Sequence, residues 1–332
     1  MDLNTRYLGL SLPSPIVVSA CTLSSEPENI VQMEDCGAGA VVLFSLFEER
    51  IARETEVLNR LEESGHAFAE AMEFFPQADA YQLGSDRYLE LIHAAKQRVD
   101  IPVIASLNGV SAEGWIDYAK QMQQAGADGI ELNIFYLPTD IGISGVEVEQ
   151  RYMRIVRRVT TAVDIPVAIK INPYFSATGW MAKHLDDLGI DGLVLFNRLY
   201  QPGIDIERLQ ITSDLELSEP HEIRLPLLWI AALHGRLNSS LAATSGVRDG
   251  HEVIQYLLAG ADVVMSASAL YKHGIEHLRT MRHQLTDWME RKQFDSIEAF
   301  RGVMSQQFMH DTTGQARANY IRILEQSKHQ AD

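Results

Sequence analysis

Lys170 lies near the end of a short apolar run, Asp164-Ile165-Pro166-Val167-Ala168-Ile169-Lys170-Ile171, which Asn172-Pro173 terminates. The opening proline, the β-branched residues and the short length predict a buried strand. An ammonium at the end of such a strand costs desolvation energy unless it has a partner or a task. Two kinds of chemistry suit it. It would set a fixed positive charge against an electron-rich ring, or it would form a Schiff base with a carbonyl substrate. Asn108, Asn133 and Asn197 end similar runs and offer amides to the edge of a heterocycle. Two further clusters, Thr244-Ser245-Gly246-Val247 and Ser266-Ala267-Ser268, combine small residues with hydroxyls. Small side chains there let backbone N–H groups approach a phosphate, and a helix start near Asp249 would add its dipole. The plainer reading of both clusters is tight packing between neighbouring loops. A phosphate cradle, amides and one lysine together describe a site for a phosphorylated flat cofactor, and flavin mononucleotide (FMN) fits. Lys170 would face its pyrimidine edge, where positive charge stabilises the reduced ring.

A repeat supplies the elements that must position these groups. Gly37-Ala38-Gly39-Ala40-Val41-Val42, Gly126-Ala127-Asp128-Gly129-Ile130, Gly189-Ile190-Asp191-Gly192-Leu193-Val194 and Gly260-Ala261-Asp262-Val263-Val264 share one grammar. Each follows an amphipathic helical stretch, and each leading glycine is predicted to cap that helix in a left-handed conformation before a buried strand. Between these units lie further strands at Pro15 to Ala20, Pro102 to Leu107, Pro166 to Ile171 and Ser240 to Ala243. Eight strands alternating with helices predict a parallel sheet covered on both faces, and at this length a single (β/α)8 TIM barrel. An open doubly wound sheet is the runner-up, but no Gly-x-Gly-x-x-Gly follows the first strand. The expectation is one domain over residues 1–332, with the barrel over about 8–290 and a helical C-terminal extension over about 291–332. The long connection after the sixth strand is read as carrying a small hairpin near Ile204-Asp205-Ile206 and Leu215-Glu216-Leu217. The one after the second strand carries a charged helical stretch, Glu48 to Glu63, and an aromatic patch, Phe74-Phe75-Pro76.

Bulk composition bounds the partners. Lysine and arginine number 28 against 45 acidic residues, a net charge of −17, which argues against nucleic acid and anionic membranes as partners. The partner expected instead is a small-molecule substrate. Cys21 and Cys36 are the two cysteines, too few for a four-cysteine zinc site or an iron–sulfur cluster, and no metal is expected. Few cysteines and a polar N-terminus without a signal-peptide pattern fit a reducing, cytoplasmic setting. Cys21 follows the first strand and faces either the cofactor or the core as a small buried hydrophobe. His234 and His273 lack ligand spacing and are read as structural or surface residues.

At the strand ends the sequence resembles a known family. Gly126-Ala127-Asp128-Gly129-Ile130-Glu131-Leu132-Asn133, Pro166-Val167-Ala168-Ile169-Lys170, Gly192-Leu193-Val194-Leu195-Phe196-Asn197, Ala242-Ala243-Thr244-Ser245-Gly246-Val247 and Ala267-Ser268-Ala269-Leu270 are similar to the class 1 dihydroorotate dehydrogenases. The resemblance runs from about Leu8 to His273 in one order. It implies an FMN-containing barrel, often a dimer, that oxidises a dihydropyrimidine by passing hydride to the flavin. It implies cofactor contacts by Ser19, Ala20, Asn133, Lys170, Asn197, Ser245, Gly246, Val247, Ala267 and Ser268. Asn108, at the end of the third strand, joins that set.

The departures are equally specific. The family's loop after the fourth strand reads Asn-x-Ser-Cys-Pro-Asn with cysteine as base, whereas this chain reads Asn133-Ile134-Phe135-Tyr136-Leu137-Pro138. The family's lysine after the second strand is Phe44 here, and its Asn-x-Met-Gly-Leu-x-Asn substrate loop has no counterpart between Ser64 and Gln82. The first glycine of the family's pair after the seventh strand is Ser245. The sequence is therefore similar to the branch described as dihydroorotate dehydrogenase-like. Tyr136, Lys170 and Asn133 are the catalytic candidates. Tyr136 acts as base, or it packs over the flavin. Phe44, Phe74, Phe75, Tyr136 and Tyr174 would form an apolar lid. The expected activity is hydride transfer between a CH–CH bond of a dihydropyrimidine-like substrate and FMN, in pyrimidine metabolism. The alternatives are a Schiff-base lyase or aldolase using Lys170, and a flavin protein that exchanges electrons with a partner protein. A homodimer is compatible with each.

Overall fold

The computed structural model describes residues 1–47, 85–109, 115–198, 202–212 and 216–307, together with a few helical residues between 317 and 325. Eight parallel strands close on themselves: β3 (Ile16–Val18), β4 (Ala40–Val42), β6 (Val103–Gly109), β7 (Gly129–Ile134), β8 (Val167–Ile171), β9 (Gly192–Leu195), β12 (Ser240–Ala243) and β13 (Val263–Ser266). A two-residue strand, β5 (Leu46–Phe47), extends beside the upper end of β6. The described helices that cover the barrel are α1 (Pro27–Asp35), α2 (Ser85–Lys96), α3 (Trp115–Gln124), α4 (Gly145–Thr160), α5 (Thr178–Asp187), α6 (Arg224–Leu233), α7 (Gly250–Ala259), α8 (Ser268–His273) and α9 (His277–Lys292). The fold is the (β/α)8 barrel that the repeat predicts.

The repeat has a mechanical meaning. Gly37, Gly126, Gly189 and Gly260 all have positive φ (93°, 100°, 80° and 114°), so each chain reversal uses the conformation that only glycine adopts without strain. The aspartate that follows in three of the units reaches sideways. Asp128 Oδ2 accepts from the Val103 N–H at 2.7 Å, Asp191 Oδ2 from Val167 at 2.8 Å, and Asp262 Oδ2 from Leu241 at 2.7 Å. Each aspartate's own N–H donates back to the carbonyl of that same residue. The start of every second strand is thus clamped to its neighbour, which fixes register. In the fourth unit Gly39 stands in the aspartate's place, and a Cβ there would lie 1.9 Å from the Ser14 carbonyl oxygen.

The barrel floor is plugged by the antiparallel hairpin of β1 (Thr5–Tyr7) and β2 (Leu10–Leu12). Tyr7, Leu8 and Leu12 form one buried cluster with the inward residues Val17, Ala40, Val42, Ile104, Ala168, Val194, Ala242, Val263 and Met265. The second glycine of two repeat units makes room for this plug. A Cβ on Gly192 would meet Leu8 Cδ2 at 2.5 Å, and one on Gly129 would meet Leu8 Cδ1 at 3.3 Å. A larger apolar cluster fills the layer between strands and helices.

Two expectations about the connections need correction. The hairpin after β9 is present, but it pairs β10 (Gly203–Asp205) with β11 (Gln210–Thr212), so its second strand precedes Leu215-Glu216-Leu217. Asp205 turns the chain early by accepting from the Glu207 and Arg208 N–H groups. The segment opened by Asp295-Ser296-Ile297-Glu298 is not helical: residues 295–307 form turns that run across the outer helices. Its N–H groups are used elsewhere. Gly302 and Met304 donate to Leu257 and Leu258 at the end of α7, and Gln306 donates to Ala231 near the end of α6. A helix would have spent those donors on itself and left the helix-end carbonyls unpaired. Phe300, buried against Trp288 and Phe294, anchors the strap. The stretch Glu48 to Glu63, the Phe74-Phe75-Pro76 patch and most of the expected C-terminal helix lie outside the described residues.

Two outcomes follow from this packing. Gly39→Ala should cost about 2–3 kcal/mol in urea unfolding, because the new methyl meets backbone rather than a movable side chain; a loss near zero would refute the close approach. Burial lowers the pKa of His234, whose Nδ1 donates to the Gly260 carbonyl beneath the strap. The unfolded chain therefore binds this proton at a higher pH than the folded one. Stability contributed here is complete above about pH 6.5 and declines as pH falls below it. His234→Gln should flatten that decline, and unfolding midpoints measured from pH 7 down to 5 would show it.

Candidate active site

Alternation along the strands lines the upper barrel with polar groups. β6 turns in Ser106 and Asn108, β7 turns in Glu131 and Asn133, and β8 turns in Lys170, all of them buried. The ladder pairs Asn108 with Asn133 and Asn133 with Lys170, so these three share one level. Glu131, paired with Ser106 and Ala168, lies one level below. Lys170 is 7% exposed, and its Nζ sits 3.4 Å from Glu131 Oε1 and 3.3 Å from Ser19 Oγ. Asn197, after β9, donates from Nδ2 to Asn133 Oδ1 at 2.7 Å. The ammonium therefore stands at the floor of the barrel mouth, with an amide pair beside it.

Above that floor opens a cleft of about 140 Å³. Ser19, Lys170, Asn197, Ser245, Val247, Ala267 and Ser268 are among the residues that line it. The loop after β12 is shaped by two successive residues in the left-handed region, Ser245 (φ 79°) and Gly246 (φ 70°). Tyr256 on α7 holds it from behind, donating its hydroxyl toward the Thr244 and Ser245 carbonyls; burial pushes that phenol well above its ordinary range. Ser266 Oγ donates to the Val247 carbonyl and so ties the loops after β12 and β13 together. Ser268 Oγ accepts from the Ser218 N–H at 3.0 Å, which brings in the loop after β9. The start of α7 is capped by Asp249, whose carboxylate accepts from the His251 N–H. That helix end carries its own anion, so the loop backbone faces the cleft where a free helix dipole was expected.

The other sequence candidates are not among the residues that line this cleft. Asn133 reaches it through Asn197. Asn108 shares the level of Lys170 farther round the barrel. Gly246 turns its α-carbon toward the Ile223 N–H, and Ala20 packs on the inner barrel cluster. Tyr136 is half-buried on the loop after β7, packed against the outer core with the Arg151 guanidinium 4.2 Å above its ring. It is not among the residues lining the cleft. Phe44 sets its ring edge-on to Tyr88 at 5.1 Å, and Tyr174 is 60% exposed, so the described lid candidates do not gather over the opening. Asn172 turns outward and donates to Tyr152. Burial raises the Cys21 thiol, which suits a small core residue better than a thiolate.

Sequence reasoning missed Glu131, Ser218 and Phe196. The signal for Glu131 was present: Gly129, Glu131 and Asn133 alternate on one face of a strand, so a lysine-facing carboxylate could have been read beneath the asparagine. Ser218 and Phe196 carried no such signal. Arg198, at the rim, pairs with Glu222 at 2.9 Å. Among the described residues no cluster of histidine, cysteine or carboxylate side chains could hold a metal ion, and no helix is long and apolar enough to cross a membrane.

Comparison with known proteins places this arrangement. The dihydroorotate dehydrogenase family model matches residues 3–289. The catalytic subunit of dihydroorotate dehydrogenase B (NAD(+)) from Thermoplasma volcanium is 27% identical over 311 residues, covering 91% of this chain and 98% of that protein. The protein of the same name from Methanocaldococcus jannaschii is 24% identical, covering 87% and 94%. The chloroplastic dihydropyrimidine dehydrogenase (NADP(+)) of Arabidopsis thaliana is 25% identical, covering 94% and 79%.

The loop after β12 gives a direct test. A Cβ on Gly246 would lie 2.8 Å from the Ile223 nitrogen, at a φ that alanine resists. Gly246→Ala should cost about 1–3 kcal/mol of stability, whereas Ser245→Gly should change it by less than about 1 kcal/mol because relief of strain offsets added chain entropy. Equal thermal shifts for the two variants would contradict the loop geometry.

Proposed function

The chain belongs to the dihydroorotate dehydrogenase family and is an oxidoreductase acting on a CH–CH group, and from that premise we propose that it binds FMN non-covalently and transfers hydride between the flavin and a dihydropyrimidine-like substrate. The observation that carries this reading is that the Lys170 ammonium and the loops after β12 and β13 line one and the same cleft. Those loops, narrow and rich in small residues, suit the phosphate of a nucleotide, with Ser245, Gly246, Val247, Ala267 and Ser268 approaching it. Ser19, Ala20, Asn108, Asn133, Lys170 and Asn197 suit the ring end. FMN would accept or return the hydride. Lys170 supplies positive charge beside the pyrimidine edge, and the Asn133–Asn197 pair orients the ring system through amide hydrogen bonds.

The substrate's other proton needs an acceptor. Cysteine is absent from the family's base position, and Tyr136 stands there with Arg151 over its ring. Tyr136 serves as base only if its loop swings toward the cleft; otherwise water takes the proton. The rewritten substrate loop and the apolar residues replacing family donors favour a dihydropyrimidine without a carboxylate over dihydroorotate itself. A second reading is favoured by the names of the archaeal relatives, which are catalytic subunits. Under it, the electrons pass to or from a separate partner protein, and the chain pairs as a homodimer in the cytoplasm.

The purified protein should show a flavin absorption spectrum, or regain one on incubation with FMN. Lys170→Met should weaken retention of FMN about tenfold or more. Anaerobic dihydropyrimidines, with dihydroorotate among them, should then be tried as reductants of the bound flavin. Bleaching by dihydroorotate would reinstate ordinary family chemistry. A colourless protein that no FMN restores would overturn the reading, and borohydride trapping of a carbonyl substrate on Lys170 would then establish the Schiff-base alternative.

A further inference from the structure

Three buried side-chain oxygens lack a hydrogen-bond partner among the described residues, and two of them, Glu131 Oε2 and the Tyr7 hydroxyl, are fully buried inside the barrel. Glu131 has no structural reason to be ionisable. Its ladder neighbours on the same level are Ser106 and Ala168, and an apolar side chain would fill the space without the desolvation cost of a carboxylate. Its one charged contact is Lys170, whose Nζ lies 3.4 Å from Oε1. The charge is felt well beyond that contact. Burial drives the phenols of Tyr7 and Tyr88 well above their ordinary range, and the Glu131 carboxylate adds to the rise at both. Lys170 itself lines the cleft, so the carboxylate stands one contact away from it.

We propose that Glu131 is a positioning residue that holds the Lys170 ammonium at the cleft floor from below and offsets part of its charge, thereby setting how strongly the site favours the reduced cofactor over the oxidised one. The proposal rests on the FMN reading above. A lysine alone would favour the extra negative charge of the reduced ring by its full uncompensated charge. A carboxylate one level lower weakens that preference while holding the ammonium from below, with Ser19 as its second partner.

Glu131→Gln keeps the size of the side chain and removes its charge. The readout is the midpoint potential of FMN-loaded protein, titrated anaerobically against dyes of known potential. Glu131→Gln should raise the preference for reduced FMN about tenfold, which for a two-electron couple is about 30 mV toward more positive potential. Lys170→Met should move it in the opposite direction, and the double variant should return close to the parent. A potential unchanged or lowered in Glu131→Gln would overturn the proposal, since a carboxylate with a purely packing role gives no such shift. Should Glu131→Gln alone fail to fold, the double variant must still lie above Lys170→Met, and equality of those two would overturn it as well. If the parent protein takes up no FMN, the cofactor reading fails and this inference fails with it. Uptake without the shift refutes only the inference.

Discussion

Closing a barrel from strands of three to seven residues demands that each ladder start in register, because a slip by one residue would turn every inward side chain outward. The aspartate clamps at Asp128, Asp191 and Asp262 meet that demand. Each spans one strand pair at the barrel floor with two reciprocal hydrogen bonds and repeats every second strand. Everything above the floor depends on them. The inward positions become predictable, the hairpin plug finds its glycine sockets, and Asn108, Asn133 and Lys170 arrive at one height.

That height divides the barrel interior. At that height stand asparagine and lysine, with Glu131 and Ser106 one level below; deeper still, the plug and the mostly aliphatic inward residues form the core. The lysine is tolerated because of where the boundary falls. Lys170 has a carboxylate under it and a cleft over it, so one side of the ammonium is compensated and the other is available. Asn172, two residues on, has already turned to the outer helices, where Tyr152 engages it. Asn172 lies past the end of β8, so the alternation that would have put it on the face of Lys170 no longer binds it, and the two polar residues serve different layers.

Much of this was legible in the sequence because repetition carries it. The four glycine-led units gave the strands, the chain reversals and the count of eight, and the small residues after the seventh and eighth strands marked the loops that now border the cleft. What was not legible depended on partners distant in sequence. The strap at 295–307 has helix-like caps, yet its backbone donors satisfy the ends of α6 and α7, and no local pattern encodes that competition. Tyr136 sits where the family motif puts a base, but Arg151, from the following helix, draws its ring onto the outer core. Glu131 was legible as an inward residue two before Asn133, but its contact with Lys170 depends on the pairing of β7 with β8, which lies outside any local pattern.

The hairpin plug also constrains how the chain reaches its native state. It precedes every barrel strand in the chain, yet its anchors come from the last ones: Thr5 Oγ1 donates to the Asp262 carbonyl, and the Leu8 N–H donates to Ser240 Oγ, across sequence separations of 257 and 232 residues. Contacts that distant carry a large loop-closure entropy and form late. Until β9, β12 and β13 exist, Tyr7, Leu8 and Leu12 have no socket and remain exposed apolar surface. Seating the plug therefore ties the first elements of the barrel to its last, like a stopper held by the rim it closes.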